Sequence, residues 1–142
     1  CLSKGLGAPI GSILLGSKEH IAKALRIRKL LGGAMRQVGF LAAAAIYALD
    51  NHVERLAEDH KKAQEIGQIL QACSYVTKVE PIETNIVIFY VDEKIGDVNF
   101  INRMKDKNIL ITPMGEGKIR IVTHLDYTNE MHQILLKELK NF

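Results

Sequence analysis

The chain has 142 residues, 47% of them hydrophobic and 25% charged, with a formal net charge of +3. This balance suits a soluble globular piece long enough to bury a core, and no apolar run reaches the ~18–20 residues that span a bilayer. Cys1 and Cys73 are too few for a disulfide framework and lack metal-ligand spacing, so a reducing cytoplasm is the natural assignment.

Leu2 and Ser3 read as the end of a strand, and residues 10–15 as a second short strand, apolar enough to be buried on both faces. Ser17 is placed to cap a helix running to about residue 30, with Glu19 in its first turn. Gly32-Gly33 breaks the chain and opens a second helix through about Leu49. That helix is apolar nearly all round, a surface that calls for burial against other helices within the fold or across a subunit interface, and Ala42, Ala43, Ala44 and Ala45 in its middle read as core. A third helix is expected over residues 51–73, with Leu56, Ala63, Ile66, Ile69 and Leu70 as its apolar stripe.

Beyond it the periodicity shortens. Residues 75–79 and 85–91 read as strands, the latter rich in β-branched and aromatic side chains. A helix over 98–107 precedes strands at 109–112 and 118–123, separated by a turn at 113–117. A terminal helix starts near Thr128, carrying Met131, Ile134, Leu135 and Leu139. The fold class is α/β, and the expected divisions are residues 1–50, a connecting helix at 51–74, and a small α/β domain at 75–142 with a mostly antiparallel sheet.

Candidate chemistry begins at Ser3-Lys4-Gly5-Leu6-Gly7-Ala8-Pro9. A lysine among small residues suits an amine that must form a Schiff base, because glycines let backbone and partner approach closely. A surface lysine in a glycine-rich turn has the same local pattern. Basic residues gather at Lys18, Lys23, Arg26, Arg28, Lys29 and Arg36, but no aromatic residues interleave with them, which argues against a nucleic-acid surface. Lys18, Lys23 and Arg26 read as a solvated helix face, whereas Lys29 and Arg36, beside the paired glycines, suit an anion site. Arg120 sits in an expected strand between Ile119 and Ile121, where it either points to a wet face or reaches an anion.

Other motifs fall away. Gly5, Gly7 and Gly11 miss the dinucleotide-binding spacing, and Gly115-Glu116-Gly117 has no P-loop lysine-serine pair. His20, His52, His60, His124 and His132 form no metal pair at i, i+4, so no metal ligand is assigned; His52 and His60 are simplest as polar-face helix residues.

The segment Ser3–Ser12 resembles the pyridoxal-phosphate lysine segment of the low-specificity L-threonine aldolases. Arg28-Lys29-Leu30-Leu31-Gly32-Gly33-Ala34-Met35-Arg36-Gln37, Leu41–Leu49, Arg55–His60, Thr84–Val87 and Arg120–Asp126 follow as further similar blocks in the family's order. Ala34 stands where the family often has a third glycine. The resemblance implies the C-terminal portion of a fold-type-I pyridoxal-phosphate enzyme, its first 50 residues the remainder of a large cofactor-binding domain. A chain starting at Cys1, just ahead of that lysine, then lacks the family's large N-terminal portion, and the fragment alone is expected to be inactive.

The resemblance further implies aldol cleavage of L-threonine or L-allo-threonine to glycine and acetaldehyde. Lys4 would carry pyridoxal 5'-phosphate, Lys29 and Arg36 would approach the cofactor from a neighbouring subunit of a homodimer or homotetramer, and Arg120 would bind the substrate carboxylate. A structural cation near Ala8-Pro9 is a further implication. The alternatives are another lyase of the same superfamily, β-eliminating or serine-hydroxymethyltransferase-like, and a non-catalytic association domain. Neither nucleic acid nor membrane is expected as a partner.

Overall fold

A computed structural model describes all residues 1–142. The elements run α1 (Lys18–Leu30), α2 (Gly39–Asn51), α3 (Leu56–Ala72), β1 (Val76–Val79), β2 (Ile86–Val91), α4 (Asp97–Asp106), β3 (Thr112–Gly115), β4 (Lys118–Val122) and α5 (Asn129–Lys140). They fall into two compact units, Cys1–Leu56 and Ala57–Phe142. No helix is long and apolar enough to cross a membrane.

The first unit consists of helices and loops. Ser17 caps α1 as expected, its hydroxyl accepting from the His20 amide at 3.3 Å. The helix stops in a Schellman turn: the Gly33 amide donates to the Arg28 carbonyl at 2.8 Å and the Gly32 amide to that of Lys29 at 3.2 Å. Gly32 adopts φ of 79°, the left-handed conformation this stop requires. The paired glycines therefore end α1 but do not open α2, which begins only at Gly39. Gln37, at φ of 51°, interrupts helical geometry, and Val38 offers no side-chain cap.

The expected strands at residues 2–3 and 10–15 do not form. A strand needs a neighbour to bond to, and this unit contains no other strand. Ile13, Leu14 and Leu15 are exposed instead, Leu15 at 86%. The core-helix reading of α2 holds only for Ala45 and Ala48, which pack with Leu2, Leu6 and Ala8. Phe40, Ile46 and Tyr47 on the same helix are exposed. Helix α2 also runs through Asn51, and a turn closed by Leu56 N donating to Val53 O at 3.1 Å delays α3 to Leu56.

The second unit holds a four-stranded sheet in the order β1-β2-β4-β3, every neighbouring pair antiparallel. Alternation along β2 and β4 sends Val87, Phe89, Val91, Ile119 and Ile121 to one face. Helices α3, α4 and α5 contribute Ala63, Ile66 and Leu70, then Phe100 and Met104, then Leu135 and Leu139 to the same core. Phe89 and Phe100 meet edge to face at a centroid distance of 5.6 Å. Each large side chain sealed here contributes about 1.5–3 kcal/mol relative to exposure.

Two expectations shift within this unit. Strand β3 lies at Thr112–Gly115 rather than 109–112, because the hairpin turn is the two-residue Glu116-Gly117, with φ of 53° and 73° as a primed turn demands. Helix α5 starts after a Thr128 cap as expected, the hydroxyl accepting from the Met131 amide at 3.2 Å. Its buried face is rotated, however: His132, Leu135 and Leu139 point inward while Met131 and Ile134 are exposed.

Candidate active site

Lys4 opens a tight turn in the first unit. The Gly7 amide donates to the Lys4 carbonyl at 2.8 Å, Gly7 adopts φ of 68°, and the side chain of Lys4 is exposed. The loop around it is closed twice, by Leu2 N to Gly11 O at 2.8 Å and by Ala8 N to Leu2 O at 3.0 Å. Burial of Leu2 and Ala8 against α2 pins its two ends. Side chains that follow α2 hold its middle: His52 Nδ1 donates to the Leu6 carbonyl at 2.6 Å, and Arg55 Nη1 to that of Gly5 at 3.2 Å. His52 is thus not a wet-face helix residue; it ends α2 and reaches back 46 residues.

Lys29 and Arg36 are exposed and pair with no carboxylate of the chain, which leaves both cations available to an anion. Lys29 occupies the last turn of α1 and Arg36 the turn before α2. Gln37, next to Arg36, is one of three non-glycine residues with positive φ, a conformation that costs on the order of 1–3 kcal/mol.

Arg120 belongs to the second unit. In β4 it pairs with Ile88 of β2 and Thr112 of β3, on the sheet face opposite Ile119 and Ile121. That geometry is the wet-face alternative, but its Nε is buried and has no hydrogen-bond partner. The guanidinium borders a cleft of about 570 Å³, whose wall includes Thr112, His124, Tyr127, Met131 and Ile134. A buried donor without an acceptor fits an incoming anion, and a forked guanidinium fits a carboxylate. Below it, Thr123 fixes the end of β4: its hydroxyl donates to the Asp59 carbonyl at 2.7 Å, while Asn85 Nδ2 donates to the Thr123 carbonyl at 2.7 Å.

One polar cluster escaped the sequence reading. His132, 3% exposed, joins Glu65 Oε2 through Nε2 at 2.8 Å and the Tyr127 hydroxyl through Nδ1 at 3.1 Å. Lys62 Nζ donates to the Tyr127 carbonyl at 2.6 Å. Burial pushes the Tyr127 hydroxyl well above the ordinary phenol range. The partners lie 67 and 5 residues from His132 in sequence, so a histidine on a helix face was the only signal available.

Against known proteins, the chain is 43% identical over 127 residues to a probable low-specificity L-threonine aldolase 2 of Arabidopsis thaliana, covering 87% of this chain and 36% of that protein. It is likewise 43% identical over 134 residues to the low specificity L-threonine aldolase of Escherichia coli K12, covering 92% and 38%. The chain thus spans little more than a third of the length of these curated relatives. A solved structure of a C-DES mutant with glycine covalently linked to the PLP cofactor superposes with a TM-score of 0.56 at 18% identity, over 73% of this chain and 28% of that one. The fold is that of the fold-type-I pyridoxal-phosphate enzymes. A profile of the beta-eliminating lyases matches residues 1–94, and the chain belongs to that family.

Proposed function

We propose that this chain is part of a pyridoxal-phosphate-dependent aldehyde-lyase that cleaves L-threonine and L-allo-threonine to glycine and acetaldehyde. The observation that carries the reading is the Lys4 turn, an exposed amine on a backbone fixed at five points, within a chain 43% identical to named threonine aldolases. When bound, the cofactor supplies an electron sink for the bond that breaks. Lys4 is the residue that would hold it covalently. Lys29 and Arg36, both free of carboxylates, suit its phosphate from a neighbouring subunit. Arg120 would orient the substrate carboxylate by two parallel N–H bonds, fixing which substrate bond faces the reacting centre.

Homo-oligomerisation as a dimer or tetramer is part of this reading, supported by the exposed Phe40, Ile46 and Tyr47 of α2. A cytoplasmic location and a role in glycine formation follow the same reading. A cation beside Ala8-Pro9 would rest on backbone carbonyls, since no cluster of three His, Cys, Asp or Glu side chains stands in the chain.

The test uses a full-length protein that carries this chain. Loaded with pyridoxal phosphate, it should release acetaldehyde from L-threonine without folate, and borohydride should fix the cofactor on Lys4. K4A should abolish turnover, and R120K should raise KM by roughly ten- to hundredfold, the range set by one charge-assisted bond. Keto-acid release in place of acetaldehyde would favour the β-eliminating alternative of the same family.

A further inference from the structure

We propose that His52 and Arg55 are positioning residues for the Lys4 amine, acting through the backbone of the turn that carries it. The proposal rests on the reading of Lys4 as the cofactor lysine. The two central carbonyls of the turn, of Gly5 and Leu6, accept no backbone hydrogen bond. Half-buried carbonyls without partners are costly, and side chains from the segment after α2 meet both of them. The peptide planes that follow Lys4 are therefore clamped from outside the turn, while Gly7 N to Lys4 O clamps it from inside. Loss of either clamp would free the turn to shift against the segment after α2 and move the Lys4 Cα, and with it the amine, out of position.

The two clamps have distinct chemistry. A carbonyl only accepts, so His52 holds its proton on Nδ1, and the bond persists whether the ring is neutral or protonated. The His52 ring also stands edge-on to Tyr47 at 5.6 Å, which sets its plane. Arg55 is permanently charged and directs one fork of its guanidinium to Gly5. Space is tight at that residue: a Cβ on Gly5 would lie 2.9 Å from Leu56 Cδ2, so the turn lies close against the segment that clamps it. Anchors of this kind adjust where an amine sits without touching substrate, which separates kcat from KM.

The test compares H52F, which keeps a ring against Tyr47 but removes the donor, with H52N, whose amide nitrogen restores one near the Nδ1 position, and with R55M. All are made in the full-length protein carrying this chain. In the cofactor-free form, amide hydrogen exchange at Gly7 and Ala8 should rise about tenfold in H52F and in R55M, the scale of one lost hydrogen bond, and return toward wild type in H52N. In the loaded form, H52F and R55M should weaken the absorbance near ~420 nm at limiting pyridoxal phosphate and lower kcat with little change in KM. Unchanged exchange at Gly7 and Ala8, or a rise in KM alone, overturns the assignment. Wild-type protein whose Lys4 takes no borohydride-fixed cofactor overturns the functional reading instead, and the exchange data on cofactor-free protein then decide separately whether the clamps exist. If H52F does not fold, R55M and H52N carry the same comparison.

Discussion

In the second unit Phe89, Phe100, Ile66, Leu70, Ile119 and Leu139 are all inaccessible to solvent, sealed between one sheet face and three helices. In the first unit Phe40, Leu15 and Leu31 stand more than four-fifths exposed, and only Leu2, Ala8, Ala45 and Ala48 are buried. Apolar content is therefore a poor guide to burial; what separates the units is the presence of a paired sheet to pack against. Broad apolar exposure of the first kind belongs to surfaces that meet other protein.

The largest test of this contrast is F89A, which should lower the stability of the second unit by about 3–5 kcal/mol, read as a shift in denaturant midpoint. An alkaline titration probes the same core. Burial raises the phenols of Tyr75 and Tyr127 above their ordinary value of about 10, so the folded form keeps protons that the unfolded chain loses. Stability should be fully present below pH about 10 and fall as pH rises above it, and Y75F combined with Y127F should flatten that fall. A flat profile in wild type would contradict the burial of both rings. H132A should cost about 1–3 kcal/mol by leaving Glu65 and Tyr127 without their shared partner, whereas an effect under half of that would make the cluster a surface feature.

Helix caps give a finer comparison. T128A should cost about 1 kcal/mol and move the cooperative unfolding of the second unit. S17A removes an equivalent cap, but α1 buries no residue, so the loss should appear as local helix melting by circular dichroism at unchanged midpoint. Smallest of all, F40S should change the stability of the unassembled chain within about ±0.5 kcal/mol, since Phe40 is 85% exposed there, and should show its effect in the proposed oligomer instead, as weaker assembly by sedimentation.

Local signals were legible where a residue's role is set by its neighbours in sequence. Ser17 and Thr128 as caps, β2 as a run of β-branched and aromatic strand formers, and the Ala63, Ile66, Leu70 stripe all follow from local sequence alone. Residues 10–15 misled because strand propensity says nothing of whether an edge exists to pair with. The glycine pair marks a break in any sequence; that it stops α1 and does not open α2 depends on the Arg28 and Lys29 carbonyls that it meets. On α5 the inward turn of His132 displaced Met131, and only tertiary packing brings Glu65 and Tyr127 to it. Lys4, Lys29, Arg36 and Arg120 stood out by residue type and family pattern, but the clamp on the Lys4 turn joins residues some 50 positions apart and leaves no periodic trace.

The two margins of the sheet carry one more consequence. Strand β3 is four residues long and includes Pro113, which has no amide hydrogen to offer a passing chain. Strand β1, at the opposite margin, carries a register irregularity between Val76 and Lys78 and a charged side chain beside it. Neither border is a template for β-augmentation, so this domain resists growing into ribbons or fibrils by strand addition.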